Sequence, residues 1–510
     1  MCRSPRDESR GARFCVALLL PILTWVAMPA GARAPSQAPQ AETSAQQIAQ
    51  LTQQVDELRQ LVVKLQASVS ELQATAASKA AQPSAPAVAA RSPATATAAA
   101  PPAAVAATAG APTAPPEVQA PGATPAPAPA SAKTADFLRG MTVNALLDTY
   151  YVYNFNDPIG RVNYLRAYDV SSNSFSLNQA ALVVESAPDM SAGKRFGMRV
   201  DLQFGQASQT LGGNSANELR PDIYRNIYQA YGSYWIPIRG SLLTLDFGKW
   251  GSSLGIEGNY TKDQMNYSRS FWYDFLPFYH SGLRATYKLN DQLSLNYWVT
   301  NGTQQSEAFN NFKDELFGFV LTPIPSLSWT FNYYVGQEHP DVVVVTNPGP
   351  GQQNLPSQQG TYFEPIPNAP NGRLHILDSY LSWQLSSAFT LAAEGDYVTE
   401  QLEPYSSYQR VTGGVLYARY QLTPALAFAV RGEYLADPAG LYSGTRQYLK
   451  EGTFTTQYKV ADGFLIYCEY RHDASNTRYF LTETLGVLAS QQPTLGFGFV
   501  WWVGQKQGPW

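Results

Sequence analysis

Beyond residue 136, apolar and polar residues alternate along the chain. Phe196, Met198, Val200 and Leu202, for example, are separated by single residues that are mostly polar. A period of two predicts β-strands with one apolar and one polar face, as in a lipid-facing barrel or a sheet on a soluble core. Sixteen strands are predicted, near 140–154, 174–187, 194–207, 223–236, 241–250, 279–288, 292–301, 314–322, 326–337, 373–385, 388–399, 410–422, 425–435, 448–460, 463–473 and 494–504.

The connections between these strands alternate in length. Every second one is a short turn, such as 289–291 or 386–387, whereas most of the others are long, such as 251–278 and 338–372. Short turns at one rim, long loops at the other and an even strand number are typical of outer-membrane barrels. A soluble β-sandwich gives no reason for this sorting. The fold class predicted for residues 137–510 is therefore an all-β, antiparallel transmembrane barrel of about 16 strands.

The first 135 residues have a different organisation. Basic, apolar and small residues follow one another through residues 1–32, as in a secretory signal peptide. Residues 43–75 carry apolar side chains at alternating steps of three and four, which predicts a coiled coil. Residues 76–135 contain 27 Ala and 12 Pro and are expected to form a disordered linker. The heptad positions are Ile48, Leu51, Val55, Leu58, Val62, Leu65, Val69 and Leu72.

The coiled coil predicts a homo-oligomer. Its pattern of β-branched residues followed by Leu favours two strands, while Leu61 widens the apolar face and admits a third. An amphipathic helix packed on a core is the alternative, but no aromatic residue lies between Arg33 and Asp136 to build that core. We expect a trimer in preference to a dimer.

Composition excludes several other classes of protein. A formal charge of −4 and a pI near 5.7 do not fit a nucleic-acid partner. Three Cys and four His argue against a disulfide scaffold and a zinc site, and no cofactor is expected. Residues 251–255 match the G-x-S-x-G pattern of hydrolases, but a barrel rim lacks the strand–turn–helix setting that this motif needs.

Charged residues on the polar faces are the candidates for pore-lining groups, because charges at the lipid face are costly. The alternative is that they form ion pairs, such as Arg431 with Glu433 and Glu469 with Arg471, that only brace the wall. The pore-lining candidates are Arg195, Arg199, Asp201, Arg284, Glu394, Asp396, Arg419, Arg431, Glu433, Lys459, Glu469, Arg471 and Asp473.

Loop 251–278 is the candidate constriction, because a wide barrel needs a loop folded inward to narrow its path. The alternative is an ordinary exposed surface loop. Loop 338–372 is predicted to be a cap or a mobile loop. The constriction candidates in loop 251–278 are Glu257, Lys262, Asp263, Arg269 and Asp274.

Several segments resemble a known family. Asn266–Ser270, Phe278–Arg284 and Asn301-Gly302, with Leu245–Gly255 and Pro493–Val503, are similar to the beta-barrel porin-2 family of bacterial outer-membrane proteins. The resemblance covers about residues 137–504 and implies an outer-membrane channel. The chain departs from the expected pattern at its end, where a polar tail follows the last strand.

The resulting hypothesis is a passive porin for small hydrophilic solutes, with outer-membrane lipid as a partner and the N-terminal region in the periplasm. Two alternatives stay open. One is a structural tether between outer membrane and cell wall with a closed barrel, and the other is an outer-membrane barrel hydrolase.

Overall fold

The computed structural model describes residues 140–212, 218–345, 362–506 and 508–510. The predicted signal peptide, coiled coil and linker lie outside these residues. The strands are β1 (Thr142–Asn154), β2 (Ser174–Ser186), β3 (Phe196–Phe204), β4 (Ile227–Ile238), β5 (Ser241–Gly251), β6 (Tyr279–Lys288), β7 (Leu293–Thr300), β8 (Asp314–Ile324), β9 (Leu327–Gly336), β10 (Val342–Val345), β11 (Tyr362–Pro365), β12 (Leu374–Gln384), β13 (Phe389–Glu400), β14 (Gln409–Gln421), β15 (Leu426–Asp437), β16 (Gln447–Ala461), β17 (Phe464–Ser475), β18 (Phe480–Leu481), β19 (Leu488–Ala489) and β20 (Gln491–Gly504).

Sixteen of these strands form one closed antiparallel barrel, which confirms the predicted fold class and strand number. Each of these sixteen strands pairs with the next barrel strand along the chain, so that β9 pairs with β12 and β17 with β20. Strand β20 pairs with β1 to close the barrel. The four remaining strands form two hairpins in long loops, β10 with β11 and β18 with β19. Closure matters in a membrane because it leaves no strand edge with unpaired backbone groups in lipid.

The alternation of side chains gives the barrel an apolar outside and a polar inside. In β3, Phe196 and Phe204 are about half exposed, whereas Arg199, Asp201 and Gln203 between them are buried. The pattern is inverted relative to a soluble protein because the outer face meets lipid. The predicted assignment of faces therefore holds in this strand.

The predicted loop lengths are also observed. Residues 239–240 alone connect β4 to β5, and both Arg239 (φ 51°) and Gly240 (φ 80°) have positive φ. Positive φ at both central residues is what a two-residue type I′ hairpin turn requires. The long connections carry three short helices, α1 (Gln206–Leu211), α2 (Pro221–Tyr224) and α3 (Phe271–Phe275). In the described residues, no helix is long and apolar enough to cross a membrane.

Several parts of the chain differ from the sequence prediction. Strand β4 begins at Ile227 rather than near residue 223, because Pro221–Tyr224 forms α2, and the hairpin of β18 and β19 lies in the predicted loop 474–493. In loop 338–372, Val342–Val345 pairs with Tyr362–Pro365, so part of the predicted cap or mobile loop is a β-hairpin. The last strand begins at Gln491 rather than near residue 494. In loop 338–372 and at the start of β20, the alternating pattern is too short or too polar to predict a strand. Whether a strand forms there depends on pairing with a neighbouring strand.

Candidate functional site: the barrel interior

Loop 251–278, called here the inward loop, lies inside the barrel. Glu469, on the inner face of β17, accepts hydrogen bonds from the backbone N–H groups of Tyr267 (2.6 Å) and Ser268 (2.9 Å). Glu433, on the inner face of β15, accepts two more from Phe271 and Trp272, each of 2.9 Å. These bonds hold the inward loop against the wall formed by β15–β17. The alternative of an ordinary exposed surface loop is therefore wrong.

Helix α3 begins at the point where Glu433 binds the inward loop. The Ser270 hydroxyl accepts a hydrogen bond from the backbone N–H of Tyr273 and caps the helix. The first N–H groups of a helix lack partners within it, and a carboxylate placed there also interacts favourably with the helix dipole. Glu433 therefore stabilises the start of α3 as well as its position.

The inward loop also contacts β1 and β3, which follow β17 and β20 around the closed barrel. Asp148 of β1 accepts hydrogen bonds from the side chains of Thr261 (2.6 Å) and Tyr267 (2.7 Å). Asp201 of β3 accepts one from Tyr260 (2.5 Å). The loop leaves β5 and returns to β6, which lie eight strands from β15 and β16 in the sixteen-strand ring. Its bonds to Glu433 and Glu469 therefore show that it crosses the interior.

The C-terminal residues meet the inward loop. The backbone N–H of Lys506 donates to the side chain of Asn144 in β1 (2.8 Å). Further on, the N–H of Trp510 donates to Asp263 (3.1 Å), and Lys262 Nζ lies 4.6 Å from the centre of a Trp510 ring. The polar tail that departs from the expected ending thus turns back to contact the inward loop.

Arg431 and Arg471 bind groups other than the ones the sequence suggested. Arg431 pairs with Glu257 of the inward loop (2.9 Å) and Glu451 of β16 (3.1 Å) instead of Glu433. Arg471 pairs with Asp473 (2.7 Å) instead of Glu469. The carboxylates of Glu433 and Glu469 are instead engaged by backbone N–H groups of the inward loop, which periodicity could not show.

The remaining charges of the inward loop are also bonded within the protein. Arg269 is buried and donates to the backbone oxygens of Tyr267 (2.7 Å) and Gly258 (3.0 Å). Asp274 accepts from the Tyr442 hydroxyl (2.8 Å), and burial raises the pKa of its carboxyl. These two residues position the loop, whereas Asp263 pairs with Lys262 (2.7 Å) and accepts the N–H of Trp510 in the C-terminal tail.

An apolar cluster fills part of the interior near the long-loop rim. Phe271 and Trp272 of α3 pack in it together with Trp250, Trp298 and Tyr334 of the barrel wall. All five side chains are nearly inaccessible to solvent. Burial of large aromatic side chains is strongly favourable, so the cluster adds to the attachment of the inward loop.

The inner face of β5–β7 is more open toward the short-turn rim. The Arg284 side chain is 20% exposed and pairs with Asp246 at 2.8 Å. Thr286 and Asn296 continue this face and bond to each other at 2.9 Å, and both are only partly buried. This polar strip contrasts with the interior near β15–β17, where the charged side chains are covered by the inward loop.

The other predicted pore-lining residues occupy varied positions. Arg195 precedes β3 and is exposed at the short-turn rim, and Lys459 near the same rim pairs with Asp462. Arg199 pairs with Asp201 (2.8 Å), and Arg419 bonds to Gln457 (3.1 Å). The remaining two members of the set, Glu394 and Asp396, lie buried on the inner face of β13.

The G-x-S-x-G segment does not form a hydrolase site. Ser252, rather than the central Ser253 of the pattern, contacts His280 Nε2 at 3.1 Å. His280 Nδ1 is buried without a hydrogen-bond partner among the described residues, so no carboxylate orients the imidazole as in a catalytic triad. The segment leaves β5 into a loop rather than into a helix.

Sequence reasoning missed several interior residues. Asp148, Asp246, Asp378 and Glu451 are buried on inner faces and bind the inward loop or other wall residues. Their position on the polar face of an alternating strand was an available signal. The partners of these residues could not be predicted from the sequence, because they come from distant parts of the chain.

The comparison with protein families identifies the class of protein. Residues 140–501 match the model of the family described as "Putative beta-barrel porin-2, OmpL-like". The chain belongs to this family, as its sequence motifs suggested. It is a porin of the bacterial outer membrane, a class of barrel that lets solutes diffuse passively.

Solved structures with a similar fold are distant in sequence. The channel DcaP of Acinetobacter baumannii is 9% identical, with 71% of this chain and 97% of that chain covered and a TM-score of 0.45. An anion-selective porin from Comamonas acidovorans is 9% identical, with 71% and 99% covered and a TM-score of 0.45. OmpT of Vibrio cholerae is 11% identical, with 71% and 97% covered and a TM-score of 0.41. Likenesses this distant say nothing about what passes through this barrel. A search of curated proteins finds no significant match.

Proposed function

We propose that the protein is a narrow passive channel for small hydrophilic solutes, in which the inward loop confines the path to one side of the barrel. The observation that carries this proposal is the contrast between the two sides of the interior. On β15 and β17 the charged side chains are buried and bonded to the inward loop, whereas Arg284 of β6 is partly exposed. A solute path would therefore run past Arg284 and Asp246.

The predicted charged residues then have two different roles. Glu433, Glu469 and Arg431 hold the inward loop and do not face the solute. Arg284 is held by Asp246 in a partly solvated pair and presents charge to the path. Charged side chains lining a constriction tune ion selectivity, so Arg284 is the residue whose removal should change it.

Planar-bilayer recordings test this path. The full-length protein should give discrete conductance steps, and Arg284→Gln should shift the reversal potential in a salt gradient toward cation preference. Arg239→Gln removes the same charge from the exposed β4–β5 turn and should shift it much less. Equal shifts in both variants would contradict a path along the β5–β7 face.

A closed barrel that acts as a tether is the second candidate, because the apolar cluster occupies part of the interior. Electrical silence of correctly folded protein under all applied voltages would favour it over the channel.

We also propose that the mature chain assembles as a homo-oligomer, a trimer rather than a dimer, through a periplasmic coiled coil over residues 43–75. The heptad pattern supports this arrangement because its apolar seam is covered only when chains associate. Cross-linking of the full-length protein in native membranes should give a trimeric species. A barrel that stays monomeric there would refute the proposal.

A further inference from the structure

Three carboxylates meet on the inner wall where β12 and β13 pair. Asp378 of β12 lies directly opposite Asp396 of β13, and Glu394 lies on the same face of β13, two residues before Asp396. One oxygen from each of the three groups lies within 4.8 Å of the others. All three side chains are at least nine-tenths buried.

The polar atoms of this carboxylate cluster are poorly satisfied. Neither oxygen of Asp396 has a hydrogen-bond partner among the described residues, and Asp378 Oδ1 has none either. The donors present are the Asn332 side chain to Asp378 Oδ2 (2.8 Å) and the backbone N–H of Ile256 to Glu394 Oε2 (3.1 Å). No ion pair within the described part of the chain involves any of the three carboxylates.

Other buried carboxylates of the interior are satisfied differently. Glu469 accepts two backbone N–H bonds and one hydroxyl bond, Asp473 pairs with two arginines, and Asp201 pairs with Arg199. Burial in the barrel therefore does not by itself leave a carboxylate without donors. The cluster at β12–β13 differs from these, because Asp396 is buried with neither oxygen bonded among the described residues and one of them lies within 4.8 Å of the other two carboxylates.

Physical chemistry limits what can hold such a cluster together. Like charges directly opposite each other destabilise a sheet, and a buried carboxylate without a partner is costly. A hard divalent cation removes both costs, because calcium binds carboxylate, amide and water oxygens in flexible geometry. With oxygen donors alone and no Cys or His in the cluster, the ligand set suits calcium or magnesium rather than zinc or copper.

We propose that Asp378, Glu394 and Asp396 form a calcium site in the barrel wall, with water completing the coordination. The site lies beside the first part of the inward loop, since Glu394 also accepts the N–H of Ile256. At Gly255 (φ 82°) the loop comes so close that an added Cβ would lie 3.1 Å from Glu394 Oε1. A bound calcium ion would therefore fix the carboxylate against which the inward loop rests.

Calcium titration of the full-length folded barrel tests the site. After removal of metal with a chelator, isothermal titration with calcium chloride should show one ion bound per barrel. Asp396→Asn and Asp378→Asn are nearly isosteric and should each weaken binding by more than about tenfold. Asp291→Asn is the matched control, because it removes one negative charge from the exposed turn between β6 and β7 and should leave binding unchanged.

The outcomes separate calcium from the alternative of shared protons. If calcium holds the cluster, wild-type protein with calcium should melt higher than with chelator, and Asp396→Asn should lose that difference. This comparison also applies if one variant fails to fold, because Glu394→Gln can replace it. No uptake by wild-type protein at millimolar calcium would overturn the proposal, as would uptake unchanged in the folded variants.

Discussion

Glu433→Gln should loosen the inward loop without altering the barrel. The carboxylate accepts 2.9 Å hydrogen bonds from the N–H groups of both Phe271 and Trp272. Hydrogen bonds to a charged group contribute roughly 1.5–3 kcal/mol each. Gln keeps one acceptor oxygen but turns its own NH2 group toward the second N–H. We therefore expect a loss of about 2–4 kcal/mol in the attachment of α3, which is roughly a 30- to 1,000-fold larger population of displaced loop.

Single-channel recording of the full-length variant measures this change directly. We expect larger or noisier conductance steps than in wild type, because a displaced loop would widen the path. Asp462→Asn is the control, since it removes one negative charge at an exposed short turn, far from α3. Heat-modifiable migration in gels should show both variants folded. If Glu433→Gln gives wild-type conductance and noise while folded, the loop does not depend on this carboxylate and the reasoning is wrong.

The remaining predictions concern other parts of the chain. Val200→Arg should reduce the yield of heat-modifiable folded barrel, because an arginine on the lipid-facing side costs roughly 2–4 kcal/mol at the membrane midplane, whereas Val200→Leu should fold normally. Trp510→Ala should increase conductance modestly, because it removes the ring against the inward loop. Replacing both Val55 and Val62 with Asp should make the isolated coiled-coil peptide monomeric and unfolded by sedimentation and circular dichroism, and a wild-type peptide that is already monomeric would contradict the coil. Burial raises the pKa of Asp169 to about 6, so its contribution to stability is present at low pH and is lost as the pH rises toward 6. Asp169→Asn should remove that part of the pH dependence of the melting temperature.

The sequence predicted the fold well because a membrane barrel is governed by local rules. Each strand has to alternate between lipid and interior, so Phe196 and Arg199 could be assigned to opposite faces from their positions alone. Consecutive strands pair in chain order, so topology required no knowledge of distant contacts. The hairpin of β10 and β11 was missed because four-residue strands carry too little pattern to distinguish them from a loop.

Only the tertiary structure decided how the interior is arranged. The sequence indicated loop 251–278 as a candidate constriction and the inner-face charges as candidate pore-lining groups. It could not show that Glu433 and Glu469 bind backbone N–H groups of that loop. Nor could it bring Asp378 and Asp396 together, because the 17 residues between them in the chain give no measure of their distance in space. Alternation determines which face a side chain occupies, whereas its partners depend on strand register and on the path of a loop across the barrel.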